Sequence, residues 1–279
     1  MNTLVVRESA PPPELPVSAR VITVFSPRGG VGKSTIAVNL AVGLAQVAPQ
    51  KVVLVDGDVQ FGDVATVLDL LPLQTLPDLV AAEPAADTLV LKTMLTVHPS
   101  GFYVVCGAAS PVDGDRVSGE QLAHLIDQLK DIFRFVIVDT SAGLGEHTLA
   151  MIEKATDAVA VCTLAVPSVR ALGTQLAVLA SLGIMPAEHH VVLNLVDQKS
   201  GLTPADVEAT LGMAVDISIP RSRAVVISTN RGIPVVSDSP RSPAARALTA
   251  LVAQCGAVRY DGPEPRHLKS LLNRRKVRA

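Results

Sequence analysis

Lys33 and Ser34 close a glycine-rich stretch, S-P-R-G-G-V-G-K-S-T-I-A-V-N from Ser26 to Asn39, whose residue types and spacing suit the handling of phosphate. Gly29, Gly30 and Gly32 let the backbone curl so that successive N–H groups point inward at anionic oxygens. Lys33 supplies a point charge for β- and γ-phosphates, and Ser34 a hydroxyl for a magnesium ion. Val31 and Thr35 complete the expected phosphate-contacting set. Magnesium-dependent phosphoryl transfer also needs a carboxylate for the metal shell, a group that orients water, and neutralisation of the developing charge. Three acids stand where they can serve: Asp56 and Asp58 end the run K-V-V-L-V-D-G-D, and Asp139 ends F-R-F-V-I-V-D-T. Asp139 fits the role of a metal-binding carboxylate at a strand end.

The elements that must position these residues are legible in the pattern. An apolar run, Val21–Phe25, leads into the glycine-rich turn, and a helix leaves it and runs to about Val47, ahead of Pro49. Strand, turn, Lys-Ser and helix in this order form a phosphate-binding loop. Further apolar runs predict buried strands at 51–58, 102–106, 133–140, 157–163, 190–196 and 215–220. Helices are expected at 64–70, 76–80, 120–132, from 145 to about 155, and at 168–182, 203–211, 221–230 and 242–255. The segment 83–100 reads as irregular helix and loop, and 108–119 as loop. Near-regular strand–helix alternation implies a doubly wound α/β fold, with a mostly parallel sheet flanked by helices. In such sheets the C-terminal strand edge lines the ligand crevice, which is where the acids fall. The expected organisation is a Pro-containing flexible leader at 1–19, with a candidate short strand at Leu4–Val6, one phosphate-loop domain at 20–256, and a polar, basic tail at 257–279.

Composition narrows the function classes. The chain has 279 residues, 48% hydrophobic, with net charge −2, no tryptophan and 3% aromatics. A large core is affordable, while a dedicated nucleic-acid binder with base-stacking platforms is not indicated. Cys106, Cys162 and Cys255 lie far apart and read as reduced core thiols, which suits a cytoplasmic location. The histidines show no metal-ligand spacing with them. The sequence has no stretch long and unbroken enough to span a bilayer, and its N-terminus lacks a signal-peptide pattern.

The loop departs from the usual pattern, because Pro27 stands where glycine is common and Arg28 directly precedes the glycine pair. R-G-G-V-G-K-S-T resembles the deviant phosphate loop of the ParA/MinD ATPases, normally K-G-G-x-G-K-[ST]. The resemblance implies ATP and Mg2+ as ligands, a homodimer in the ATP state, and slow ATP hydrolysis. It implies that Arg28, at the signature-lysine position, reaches the partner's nucleotide, and that its guanidinium bears on turnover. By the same resemblance Asp58 orients the attacking water and Asp56 supports the metal side. D-T-S-A-G, from Asp139, is similar to the second switch, with the Gly143 N–H near the γ-phosphate and Ser141 where proline is common. Asp58 and Gln60 belong to the first switch. Asn194, late in the strand V-L-N-L-V, follows the family's adenine-reading asparagine, with an amide able to bond N6 and N7. Pro220 and Arg221 fit the segment beside the base.

Two segments resemble one branch more closely: V-D-G-D-V-Q-F-G-D-V and R-S-R-A-V-V-I-S-T-N-R-G look like the CpaE/TadZ-type ATPases of Flp/Tad pilus assembly. That branch implies pilus or secretion assembly proteins as partners. Two alternatives stay open. Arg221, Arg223, Arg231, Arg241 and Arg246 could form a patch for non-specific DNA, as in a partition ATPase. Arg266, Lys269, Arg274, Arg275, Lys276 and Arg278, set among Leu268, Leu271, Leu272 and Val277, could lie on a membrane surface as in MinD-like proteins, giving a peripheral location at the inner face or a pole. A non-hydrolysing scaffold is a further alternative.

Overall fold

Valine, isoleucine and leucine fill most inner positions of the long strands, and the reason is burial on both faces. The computed structural model describes residues 18–82, 88–197 and 199–257. The first half of the chain builds β1 (Arg20–Phe25), α1 (Lys33–Val47), β2 (Val52–Gly57), α2 (Val64–Val67), α3 (Leu76–Ala81), α4 (Thr88–Met94), β3 (Thr96–His98), β4 (Phe102–Val105), α5 (Pro111–Gly114) and α6 (Gly119–Ile132). The second half builds β5 (Phe135–Thr140), α7 (Glu146–Glu153), β6 (Asp157–Thr163), α8 (Val166–Ser181), β7 (Glu188–Val196), α9 (Pro204–Leu211), β8 (Ile217–Pro220), α10 (Arg223–Asn230), α11 (Val235–Asp238) and α12 (Pro243–Gly256).

The eight strands among the described residues join one sheet in the order β3-β4-β2-β5-β1-β6-β7-β8. Every pairing is parallel except that of β3 with β4. Parallel pairing leaves each β–β connection to a helix, and the helices cover both faces. In β5, Phe135 and Ile137 enter the core beneath α1 and α12, while Val136 and Val138 enter the one beneath α6. The doubly wound α/β architecture expected from the alternation is therefore the one present.

The helix that leaves the phosphate loop is central. Every α1 residue from Ile36 to Ala45 is buried. It lies against the sheet on one side and α12 on the other, so close that a Cβ on Gly43 would meet Val252 at 2.4 Å. Asn39 ties it further: its Nδ2 donates to the Thr35 carbonyl at 2.8 Å and its Oδ1 accepts the Val236 N–H at 3.0 Å. The second of these bonds fixes α1 to α11.

Three local expectations change. The segment read as irregular at 83–100 contains α4 and the short edge strand β3, whose pairing with β4 no three-residue pattern announces. The loop at 108–119 contains α5, capped by the Ser110 side chain, which accepts from the Asp113 N–H, with Pro111 at its start. The short helix α11 went unanticipated. The leader before residue 18 with its candidate strand at Leu4–Val6, and the basic tail from residue 258, lie outside the described residues. Cys106, Cys162 and Cys255 are buried, as expected.

Candidate functional site

The glycine-rich loop follows β1 directly and ends at Gly32, the N-cap of α1. Gly32 has φ +94° and provides no side-chain cap. The first-turn N–H groups of α1 are thus left for a ligand, at the positive end of a buried helix. Around Gly29 and Gly30 nothing would lie within 4 Å of an added Cβ, so the concave side is open. Gly32 differs: its Cβ would fall 2.2 Å from Asn194 Nδ2.

That contact also makes Asn194 a brace for the loop. Its Nδ2 donates to the Val31 carbonyl at 2.8 Å, bracing the loop from the end of β7. That bond uses one of the two Nδ2 hydrogens and leaves the other, with Oδ1, for N7 and N6 of an adenine. The neighbouring Leu195 takes φ +54°, at a register irregularity between β7 and β8. Such a conformation is costly for a branched side chain and clusters at functional sites. Asn194 still walls a cleft of about 300 Å3 that runs from Gly30, Gly32 and Thr35 to Pro220 and Arg221. The expected phosphate loop and the expected base-side segment thus share one cavity.

The acids separate into different roles. β2 and β5 are paired so that Asp56 lies directly beside Asp139. Asp56 is fully buried. Its Oδ1 accepts the Asp58 N–H at 3.3 Å and its Oδ2 the Val64 N–H at 3.1 Å. Gly62 and Gly107 pack onto the carboxylate so closely that a Cβ would meet it at 2.4 and 2.9 Å respectively. Asp56, expected on the metal side, thus clasps the segment between β2 and α2. Burial, then the neighbouring Asp139 charge, holds its pKa well above the usual carboxylate range.

Asp139 is also buried, and its Oδ1 has no hydrogen-bond partner. Burial pushes its pKa up to about 7, against the pull of the Ser34 hydroxyl and the Lys33 charge, while Asp58 and Asp63 add to the rise. Lys33, Ser34 and Asp139 thus converge as expected. Asp63, within Q-F-G-D, is an acid the sequence reading passed over. Asp58 is half-buried, and its Oδ1 accepts the N–H groups of Gln60 at 3.4 Å and Phe61 at 3.1 Å, shaping the turn. The Gln60 side chain reaches away to Asp115 at 3.0 Å. Among the described residues no three His, Cys, Asp or Glu side chains converge to hold a metal ion by themselves.

Two further expected site residues have partners within the chain. Arg28 is exposed, and its Nε donates to the Pro167 carbonyl of its own chain at 3.3 Å. The Gly143 N–H donates to the Ser26 carbonyl at 3.0 Å and is not offered to the cleft. The Gly143 carbonyl accepts from Gln175 Nε2 at 3.0 Å, a buried partner with no sequence signal.

Residues 19–177 match the AAA_31 family model, described as an AAA domain. The chain belongs to the AAA_31 family. Relatives of the ParA/MinD type match along most of this AAA_31 chain. The septum site-determining protein MinD of Synechocystis sp. is 29% identical over 228 residues, covering 78% of this chain and 82% of the relative. The structure of MinD from Pyrococcus horikoshii, complexed with Mg-ADP, aligns with TM-score 0.76 at 24% identity, covering 85% of this chain and 96% of that one. A ParA family ATPase from Chlorobium tepidum aligns with TM-score 0.79 at 24% identity over 84% of this chain and 99% of its own. No described helix is long and apolar enough to cross a membrane.

Proposed function

We propose that this chain binds Mg-ATP, dimerises in the ATP state and hydrolyses ATP slowly, acting as a nucleotide-dependent switch. The observation that carries the reading is the uncapped N-terminus of α1 beneath an open glycine cradle, with Lys33, Ser34 and a buried, half-partnered Asp139 beside it. An orphaned carboxylate oxygen at that place fits a cation that arrives with phosphate. The absence of a three-ligand cage among the described residues agrees with magnesium's habit of using one or two protein ligands plus phosphate oxygens and water. The Mg-ADP complex of the Pyrococcus relative supports the same ligand class.

In this reading the loop N–H groups and Lys33 bind the β- and γ-phosphates, and the cleft toward Pro220 and Arg221 takes the base. Ser34 and Asp139 hold the magnesium ion, which when bound neutralises phosphate charge. Asp58 holds and orients the attacking water. Arg28 leaves Pro167 and reaches the nucleotide of a second copy, where its planar fork suits phosphate. Asp56 keeps the Asp58 segment in place from beneath.

For the cellular task we propose the positioning or assembly of a Flp/Tad-type pilus machine, on the strength of V-D-G-D-V-Q-F-G-D-V, in which Phe61 stands 73% exposed beside Gln60 as a partner contact. The second reading is a MinD-like positioning ATPase working at a membrane surface, favoured by the septum site-determining relatives. Both place the protein in the cytoplasm. The test is molar mass in solution with ADP, with ATP, and with ATP for Asp58→Ala. A dimer that forms with ATP and accumulates in the Asp58→Ala protein is expected. A mass indifferent to nucleotide in both proteins overturns the switch.

A further inference from the structure

Helix α8 holds two elements that the ATP state must use. In its first turn the Pro167 carbonyl takes the Arg28 Nε at 3.3 Å. Two turns later Gln175 Nε2 donates to the Gly143 carbonyl at 3.0 Å. The Gly143 N–H donates on its other side to Ser26, so this residue is clamped between the phosphate-loop entry and α8. Gln175 is only 3% exposed, and its Oε1 has no partner. A buried amide that uses its donor and leaves its acceptor idle is uncommon and calls for a reason. Gly143 itself has φ +91° and nothing within 4 Å of where a Cβ would stand, so its loop has room to turn.

We propose that Gln175 is a positioning residue that parks the Ser141–Gly145 loop, keeping the Gly143 N–H on Ser26 and away from the third phosphate of a bound nucleotide. Release of that N–H toward a γ-phosphate requires the clamp to open. The idle Oε1 is then an acceptor ready for a loop N–H in the shifted form. The clamp discriminates between nucleotides: ADP has no γ-phosphate to claim the Gly143 N–H, so binding of ADP leaves the loop parked. The inference rests on the Mg-ATP reading above.

The experiment is calorimetric titration of the full chain with Mg2+ plus ADP, and with Mg2+ plus the non-hydrolysable β,γ-imido analogue of ATP. Gln175→Met keeps the length and removes both polar atoms. Gln175→Glu keeps the shape and removes the donor, and serves if methionine disturbs packing. In each variant the affinity for the analogue relative to ADP is expected to rise about five-fold, the worth of one net hydrogen bond, with ADP binding unchanged. An unchanged or lowered ratio overturns the parking role, and equal losses for both nucleotides assign Gln175 to structure alone. If the parent binds neither nucleotide, the ATP reading falls and takes this inference with it. Binding by the parent with an unchanged ratio in the variants overturns this inference alone.

Discussion

Replacing Asp139 by asparagine separates the demands of folding from those of binding. Asp139 lies in the centre of the sheet edge, paired in register with Asp56 and with one oxygen unpartnered. Its pKa rises from the ordinary 3.8 to about 7. The folded chain therefore holds a proton that the unfolded chain has released across this window. The sign follows: the contribution to stability is intact below about pH 4 and is lost as pH rises toward 7. At 1.36 kcal/mol per pH unit the full loss is about 4 kcal/mol. Asparagine keeps the shape and carries no charge, at some cost in its bond to Ser34. Asp139→Asn is thus expected to match the parent near pH 4.5 and to exceed it by about 2 to 4 kcal/mol at pH 8. Urea denaturation of the nucleotide-free proteins at half-unit pH steps, with a common m-value, reads this directly. The same substitution should abolish most of the stabilisation that Mg-ATP adds to the parent, because the carboxylate is then absent where the cation needs it. Parallel stability curves for the two proteins between pH 4.5 and 8 would refute the reasoning, since Asp139 would then be no more costly to ionise when folded than when unfolded.

Two other perturbations test the frame around the site. Gly32→Ala places a Cβ against Asn194 Nδ2 at a left-handed backbone position, and should cost about 1 to 3 kcal/mol of stability with a larger loss of nucleotide affinity, read by thermal denaturation with and without Mg-ATP. Asp56→Ala strands the buried Val64 N–H, and hydrogen exchange at that amide should quicken about ten-fold or more while exchange in β5 changes little.

Much of the fold follows from patterns a linear reading can use. Strands buried on both faces need unbroken apolar runs, so β2, β5 and β6 were visible within a residue or two at most ends. The edge strand β3 was not, because its three residues gain their conformation from β4 and carry no period of their own. At the site, the phosphate loop was legible because its chemistry is local. Consecutive residues supply the glycine conformations, the lysine and the helix start, and no distant partner is needed to make sense of them.

The partners of single side chains were decided elsewhere. Asp56 and Asp139 look alike on paper, each an acid at the end of a valine-rich run. Strand order sets them side by side, and the packing of Gly62 and Gly107 then turns one into a clasp while the other keeps a free oxygen beside Ser34. Asn194 reads as a base-binding amide, and the sheet also brings it under Val31, 163 residues away in the chain. Gln175 has no motif at all; only the close approach of α8 to the Gly143 loop gives it a partner. By itself the sequence determined the phosphate cradle and the strand ends that carry its acids, since both depend on neighbours in the chain. Which acid is clasped by backbone N–H groups, which keeps an unpartnered oxygen, and which side chain holds the Gly143 carbonyl depended on pairings between distant segments, and only the tertiary structure decides those.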